Sequence, residues 1–359
     1  MRTAGRMFLA LAAGAAALAA GEGVVRILDL GPDVHRIERG MVRLTPAGDL
    51  RYELVPGFAS PLRDVVVNAE GMRDGPVARE KAPGTFRIAC VGDSIAFGMG
   101  TPLAPFDVQL EARLNGAGGG RFEALNFGVP GYHVGQVAAA LAAKVGAFAP
   151  DLVVYLYCLN DPQETSRELE ETLRQRALGP ARAEYVLRRW APAGGGSRLW
   201  LLARLAAETW ARRGAAAPRE AEFRDDLRRL LDGEGEGYYR ALYQPGPARA
   251  RFEAGLDAIA RWSREARTPV WVAVVPVFLD LENYAFGDLH AEVARAAAAR
   301  GLPVVDLLPA YLAAQRAGAP RFFADPLHPN AAGYGLAAAA VEDALRAAGA
   351  LPGPAGAGR

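Results

Sequence analysis

The sequence predicts an α/β fold in which a parallel five-stranded sheet is covered by helices on both faces. From Thr85 onwards, short apolar segments alternate with longer segments of helical spacing, and this alternation is typical of α/β folds. The short segments are hydrophobic along their whole length, as expected for strands that are buried on both faces. Five such strands suit a three-layer, doubly wound sandwich.

The elements of this sandwich can be placed in chain order. The predicted strands cover residues 86–91, 122–126, 152–158, 270–275 and 303–306. The segments between them carry apolar residues three or four positions apart, which predicts helices. These helices include positions 106–114 and cover residues 137–148, 252–266, 289–299 and 331–348.

The domain organisation follows from where this rhythm starts and where it is interrupted. A chain of 359 residues, 51% of them hydrophobic, is long enough for a large core. We assign residues 85–350 to the α/β domain and residues 22–84 to an N-terminal extension. Alternating residues on both sides of a Pro/Gly turn near position 47 predict a β-hairpin in that extension.

Residues 163–246 interrupt the α/β rhythm and are predicted as a helical insertion. Glycine- and proline-rich breaks separate its three helical stretches. An insertion after the third strand would lie over the strand ends as a lid or substrate-binding cap, because long insertions are often functional. The alternative is a structural addition away from the site. Tyr238, Tyr239 and Tyr243 could line a pocket or belong to an aromatic core.

The N-terminus has the pattern of a secretory signal. Arg2 and Arg6 precede an unbroken apolar segment over residues 7–20. A positively charged segment followed by an apolar one is typical of signal peptides. We therefore assign residues 1–21 to a signal peptide or membrane anchor. The segment is shorter than the ~20 residues of a spanning helix, and a buried N-terminal helix is the remaining alternative. The predicted location is periplasmic or extracellular, with inner-membrane anchoring as a variant.

Charge and cysteine content exclude several classes of protein. The formal net charge of +1 gives no field that would attract nucleic acid. Cys90 and Cys158 both lie within predicted strands, and the strict geometry of a disulfide favours two buried thiols. Neither a CxxC nor an HExxH motif is present in the sequence, so no zinc site is expected.

Four short motifs carry the chemistry. Gly-Asp-Ser-Ile at 92–95 follows the first predicted strand of the sheet, Asn-Phe-Gly-Val-Pro-Gly at 126–131 follows the second, and Asn-Asp at 160–161 follows the third. Asp-Pro-Leu-His-Pro-Asn at 325–330 precedes the last helix. Ligand sites of open parallel sheets form beyond the carboxyl ends of the strands. We therefore expect the four motifs to meet in one crevice.

The residue types in these motifs fit nucleophilic catalysis by a serine. The hydroxyl of Ser94 needs a base, and His328 with Asp325 three residues before it supplies a base and its orienting acid. An oxyanion needs preorganised donors, which the N–H groups of Ser94 and Gly131 and the amide of Asn160 can provide. The supporting residues of the motifs are Asp93, Asn126 and Asp161.

The other three histidines are weaker candidates for the base. His35 lies in the extension and His290 lies early in a helix. His133 follows the second motif and could contact the pocket, but no carboxylate is near it in sequence. Since a base needs an orienting partner, we interpret His133 as an exposed loop residue.

With these residues in place, the chain resembles the SGNH, or GDSL-type, hydrolase family over residues 85–349, apart from the insertion. The conserved Ser, Gly, Asn and His of that family fall on Ser94, Gly131, Asn160 and His328, with Asp325 as the acid. The resemblance implies a flavodoxin-like α/β/α sandwich and ester hydrolysis without a metal or other cofactor. One departure is Cys158, where the family usually has glycine, which adds a side chain at the strand end.

The first functional hypothesis is an exported serine esterase or deacylase acting on small-molecule or glycan esters. The stretch 66–73 is similar to one in exported bacterial SGNH proteins, which are often linked to cell-surface polysaccharides. Two alternatives are an O-acyltransferase, in which a sugar hydroxyl replaces water, and a catalytically inactive carbohydrate-binding module. The complete Ser/Gly/Asn/Asp/His set argues against the inactive module.

Overall fold

The computed structural model of the protein describes residues 13–24, 41–45, 48–59, 65–99, 101, 104–116, 121–163, 236–324 and 327–352. The chain divides into two compact units. One is formed by Met1–Arg39 and Leu173–Phe223, and the other by Gly40–Thr172 and Arg224–Arg359.

In the first unit, residues 13–24 are helical. Among the helices in the described ranges, none has both the length and the apolar character needed to span a bilayer. The first 12 residues lie outside the described ranges, so the signal peptide stays a prediction.

The second unit contains the predicted parallel sheet. The strands of this unit are β1 (Val42–Leu44), β2 (Tyr52–Leu54), β3 (Thr85–Gly92), β4 (Arg121–Asn126), β5 (Leu152–Cys158), β6 (Val270–Val275) and β7 (Val304–Asp306). The five-stranded sheet has the order β4-β3-β5-β6-β7, and all four of its pairings are parallel. The predicted strands are confirmed, with ends that differ by no more than one residue.

Helices cover both faces of this sheet, which confirms the three-layer α/β/α fold. They are α1 (Ser94–Phe97), α2 (Phe106–Gly116), α3 (Val134–Ala143), α4 (Glu236–Leu242), α5 (Pro247–Ala266), α6 (Gly287–Ala298), α7 (Leu308–Arg316) and α8 (Ala331–Ala347). On one face, Leu156 of β5 shares a core with Leu110 of α2 and Val341 of α8. On the other face, the ring of Tyr157 lies 6.0 Å from that of Phe252 in α5.

Several helical elements differ from the sequence prediction. The helix expected over 137–148 begins at Val134 and ends at Ala143, and a 3-10 turn covers Val145–Phe148. An N-terminal capping box explains the earlier start. Helices α1, α4 and α7 were not predicted, because α1 and α4 have only four and seven residues and α7 follows β7 after a single residue. Helix α5 begins at Pro247, five residues before its predicted start.

The extension contains a small antiparallel pair, in which Val42 lies opposite Leu54. The alternation of the pair buries Tyr52 and Leu54. Residues 46–47, at the predicted turn, lie outside the described ranges.

The structure tests the predictions made for the two cysteines and for the tyrosines of the insertion. Cys90 and Cys158 are both buried free thiols. Tyr239 and Tyr243 are buried, and the Tyr243 hydroxyl lies 2.7 Å from that of Tyr157, which favours the aromatic-core alternative. Most of the predicted insertion, residues 164–235, lies outside the described ranges.

Candidate active site

The structure brings the first three motifs to the same edge of the sheet. Gly92 ends β3, Asn126 ends β4, and Asn160 follows the end of β5 by two residues. Because β3 lies between β4 and β5, the three loops are neighbours. The topology of the sheet therefore brings three of the four motifs to the edge where the crevice was expected.

The fourth motif reaches this edge through His328. Its Nε2 atom lies 2.9 Å from Ser94 Oγ, although 234 positions separate the two residues. When the imidazole is neutral and its proton is on Nδ1, Nε2 accepts the serine hydroxyl proton. The Asp93 Oδ2 atom is a second acceptor for that proton, but at 3.4 Å it makes the longer contact. The geometry thus favours His328 as the acceptor.

Ser94 occupies the first position of α1, and Asp93 caps this helix. Asp93 Oδ1 accepts a hydrogen bond of 2.8 Å from Ile95 N. Burial raises the pKa of the Asp93 carboxyl, while the Ile95 N–H and the nearby His328 act in the opposite direction. The cap fixes the start of the helix and hence the position of the serine side chain.

The other end of α1 is held by side chains from three different parts of the chain. They donate to three successive carbonyls: Tyr334 Oη to Ile95 O at 2.8 Å, Asn126 Nδ2 to Ala96 O at 2.9 Å, and Arg73 Nη1 to Phe97 O. A helix of four residues cannot satisfy these carbonyls with its own N–H groups. Gly98 N at the C-cap donates to Ile95 O at 3.0 Å, and the side chains supply the other donors and anchor the helix that carries Ser94.

Asn126 is one of the predicted supporting residues, and its role is now specific. It is fully buried, and besides Ala96 O its Nδ2 donates to Asp107 Oδ1 at 2.7 Å. Arg73 and Tyr334 were not among the predicted site residues. Arg73 ends the stretch 66–73 that was singled out in the sequence, and this position was the available signal; the structure shows that Arg73 is buried.

The second motif forms a tight turn next to α1. Tyr132 N donates to Val129 O at 3.1 Å, with Pro130 second in the turn and Gly131 third. Gly131 has a φ of 79°, which is the type II geometry and requires glycine at that position. Gly128 lies against α1, since a Cβ atom there would be 2.1 Å from Phe97 N. The sequence did not single out this close approach.

The third motif places one polar side chain at the crevice and buries the other. Asn160 Oδ1 is buried, and no group in the described part of the chain bonds to it. Asp161 Oδ2 accepts a hydrogen bond of 2.5 Å from Tyr155 Oη, and Asp161 O accepts one from Val134 N at 3.0 Å. Burial, together with the charge of Asp93, raises the pKa of Asp161 well above its ordinary value. Asp161 thus links β5 to the start of α3.

Cys158 does not shorten the strand that leads to Asn160. It pairs with Val275 in the last register position of β5 and β6, and its side chain lies in the core. The side chain that cysteine adds at this position therefore packs in the hydrophobic core beneath the site.

The loop that carries His328 is supported on both sides of the gap at Asp325 and Pro326, which lie outside the described residues. Ala324 N donates to His328 O at 2.8 Å. Asn330 caps α8 by accepting a hydrogen bond of 3.1 Å from Gly333 N. The pairing of Asp325 with His328 stays a prediction.

The interpretation of His133 as an exposed loop residue is wrong. His133 is buried, and its Nδ1 accepts hydrogen bonds from Gly135 N at 3.0 Å and Gln136 N at 3.3 Å. The side chain caps α3, and the sequence concealed this because the helix starts three residues before the predicted start at Val137. His290 bonds to Tyr284 and Asp306. In the described ranges, no cluster of three His, Cys, Asp or Glu side chains could hold a metal ion.

Comparison with known proteins gives one family and several similar structures. The model of the GDSL-like lipase/acylhydrolase family matches residues 90–336, whereas no curated protein matches the chain. An α/β hydrolase from the metagenome of Lake Arreo, Spain, is 17% identical, with 76% of this chain and 97% of that chain covered and a TM-score of 0.40.

Two further solved structures are similar to the chain. The lipase/acylhydrolase from Enterococcus faecalis is 17% identical, with 73% of this chain and 96% of that chain covered and a TM-score of 0.41. A catalytic mutant of an acetylxylan esterase from Geobacillus stearothermophilus is 14% identical, with 75% and 95% covered and a TM-score of 0.39.

Proposed function

This chain belongs to the GDSL-like lipase/acylhydrolase family and is an ester-bond hydrolase, and we propose that it acts through an acyl-enzyme on Ser94 with His328 as the general base. The observation that carries the proposal is the 2.9 Å separation of Ser94 Oγ and His328 Nε2 at the carboxyl edge of the sheet. A hydroxyl becomes an effective nucleophile when a base within this distance takes its proton.

The proposed acylation moves one proton and exchanges one bond. Ser94 Oγ attacks the ester carbonyl carbon while His328 Nε2 accepts the hydroxyl proton. The tetrahedral intermediate collapses, the bond to the alcohol oxygen breaks, and His328 returns the proton to the leaving alcohol. Water then attacks the acyl-enzyme with His328 again as base, which releases the acid and restores Ser94.

Three donors are proposed for the oxyanion of both intermediates. They are the N–H groups of Ser94 and Gly131 and the side-chain amide of Asn160. The position of each at the end of a neighbouring strand supports this assignment, because fixed donors stabilise the developing charge without reorganisation. Asp325 is proposed to hold His328 in the tautomer that carries its proton on Nδ1.

The proposed substrate is an O-acyl group on a small molecule or a glycan outside the cytoplasm. Export is supported by the charge and apolar pattern of residues 1–21, with cleavage and retention as a membrane anchor both open. A glycan substrate is supported by the similarity of the stretch 66–73 to exported proteins linked to cell-surface polysaccharides.

Labelling with a fluorophosphonate tests the nucleophile directly. We expect a single modified peptide containing Ser94, found by mass spectrometry, and no labelling of Ser94→Ala. A modified peptide from elsewhere in the chain would refute the assignment. A folded wild-type protein that neither labels nor hydrolyses any ester would instead support the inactive binding module.

A substrate panel then separates hydrolysis from transfer. Acetylated sugars and nitrophenyl esters of increasing chain length are offered with and without a free oligosaccharide acceptor. Release of free acid that is unaffected by the acceptor is the expected result. An acylated acceptor formed at the expense of free acid would favour the O-acyltransferase.

A further inference from the structure

The N-terminal extension makes a direct hydrogen bond to the turn that contains Gly131. Tyr52, in β2, is fully buried, and its hydroxyl donates to Pro130 O at 2.8 Å. The Pro130 carbonyl and the Gly131 N–H belong to the same peptide unit. Because this unit is planar and trans, the two groups point in opposite directions. A bond that fixes the carbonyl on the side of the extension therefore directs the N–H to the other side.

The orientation of this peptide is what distinguishes the two common types of such a turn. Type I and type II turns share the same chain path and differ mainly in ψ of the second residue and φ of the third. Those two angles flank the peptide between Pro130 and Gly131, so a change of type turns this peptide over. Glycine adopts both conformations readily, so the local sequence does not block the flip. Proline at the second position and glycine at the third favour type II, and a contact from outside the turn strengthens that preference.

We propose that Tyr52 is a positioning residue that holds the Pro130–Gly131 peptide in the orientation that directs the Gly131 N–H towards the oxyanion, an inference that rests on the proposed esterase function. The extension is then part of the active-site architecture of the enzyme. Hydrogen bonding to the carbonyl also polarises the peptide and strengthens its N–H as a donor.

Tyr52 is itself held firmly enough to act in this way. Its ring packs edge-on against Tyr132 with centroids 5.3 Å apart, a contact that needs only the Tyr132 ring. The Tyr132 hydroxyl bonds the Tyr52 backbone and not its side chain, with Tyr132 Oη donating to Tyr52 O at 2.6 Å. Gln136 Nε2 adds a bond of 2.8 Å to Leu50 O. Burial raises the pKa of Tyr52 well above its ordinary value, so its hydroxyl stays a donor over the working pH range.

The pair Tyr52→Phe and Tyr132→Phe tests the proposal with a matched control. Each change removes one buried tyrosine-to-carbonyl hydrogen bond between the extension and the turn segment, and each keeps the ring. Only the first releases the Pro130–Gly131 peptide. Removal of a fixed oxyanion donor costs ~10²–10³ in kcat, and since this donor is loosened rather than removed, we expect Tyr52→Phe to lower kcat by about 10–100-fold with KM little changed.

Tyr132→Phe should stay within about 3-fold of the wild-type kcat while lowering the melting temperature as much as Tyr52→Phe does, since both lose one buried hydrogen bond. Rates are divided by the concentration of serine labelled at completion by fluorophosphonate, so a partly folded preparation is not counted as a slow enzyme. Equal losses in the two variants, or a wild-type kcat in Tyr52→Phe, would overturn the proposal. Failure of the esterase function would show separately, as turnover by Ser94→Ala in the same assay, and would overturn this inference with it.

Discussion

The two sides of the Ser94–His328 contact are held in place by different kinds of interaction. On the Ser94 side, the carbonyls of α1 are bonded by polar side chains from the extension, from β4 and from α8. On the His328 side, the described part of the loop combines hydrogen bonds within the loop, such as Ala324 N to His328 O at 2.8 Å, with contacts between aromatic rings. The ring of Phe323 stacks on Phe278 with centroids 5.5 Å apart, and Phe322 lies 5.3 Å from Tyr311.

The difference shows how a fold can fix two reacting groups from distant parts of the chain. Hydrogen bonds impose narrow distance and angle limits, so the nucleophile is fixed with little latitude. Ring packing is less directional, and its strength follows the buried area. We therefore expect the Ser94 side to be sensitive to polar and steric changes around α1, and the His328 side to depend on its orienting acid.

The largest effect is expected when either of the two reacting side chains is removed, and it should be similar on both sides. Ser94→Ala and His328→Ala should each lower kcat by about 10⁴-fold or more, because residues that act as a unit are lost together. The measurement is ester hydrolysis by the purified variants, with circular dichroism to show that they fold. If either variant kept turnover near that of the wild type, the two residues would not form one catalytic unit.

Asp325→Asn should have the next largest effect and acts on the His328 side alone. An amide can hold the imidazole in the wrong tautomer, so we expect kcat to fall by about 10²–10⁴-fold, less than for Ser94→Ala. Fluorophosphonate labelling of Ser94 should slow in parallel. A wild-type rate would mean that another acid orients His328.

Gly128→Ala should disturb the Ser94 side through its shape. The added Cβ would lie 2.1 Å from Phe97 N, so the turn and α1 must move apart. Overpacking of this kind costs about 1–3 kcal/mol, and we expect kcat to fall by about 10–100-fold as the serine shifts.

Gly287→Ala is the control for this change, because nothing lies within 4 Å of a Cβ at that helical position. It should keep the wild-type kcat and melting temperature. If Gly128→Ala behaved like Gly287→Ala, the close approach of the turn to α1 would not matter for catalysis.

The smallest expected effect concerns stability and arises because the polar Ser94 side contains buried carboxyls. Burial, reinforced by the nearby Asp74, raises the pKa of Asp107 from 3.8 to about 7. The folded protein then holds a proton that the unfolded chain has released, so stability falls as pH rises between these two values. Asp107→Asn keeps an oxygen that can accept the bond from Asn126 and removes this pH-dependent cost.

Thermal unfolding at two pH values measures this effect. Near pH ~4, Asp107→Asn and the wild type should melt at similar temperatures, because the folded-state carboxyl is neutral there. Near pH ~8 the variant should melt higher, by roughly 2–4 °C for each kcal/mol of relief. Equal melting temperatures at both values would mean that Asp107 titrates alike in the folded and unfolded states.

Sequence patterns predicted the features of this protein that neighbouring residues in the chain determine. The apolar segments of β3 to β7 reveal their burial directly, and the Gly-Asp-Ser and Asp-Pro-Leu-His motifs identify Ser94 and His328. The capping role of His133 was missed because the pattern of α3 is dominated by alanine, which marks the middle of a helix better than its start. Arg73 and Tyr334 were missed because their carbonyl partners lie far away in sequence.

By itself, the sequence determined the order of strands and helices, the family and the candidate catalytic residues, since periodicity and short motifs are properties of neighbouring positions. Only the tertiary structure decided that Ser94 and His328 lie 2.9 Å apart, that three remote side chains hold α1, and that Tyr52 bonds the peptide before Gly131. Each of these is a distance between segments that are separate in the chain. The folded core fixes such distances, and no local pattern encodes them.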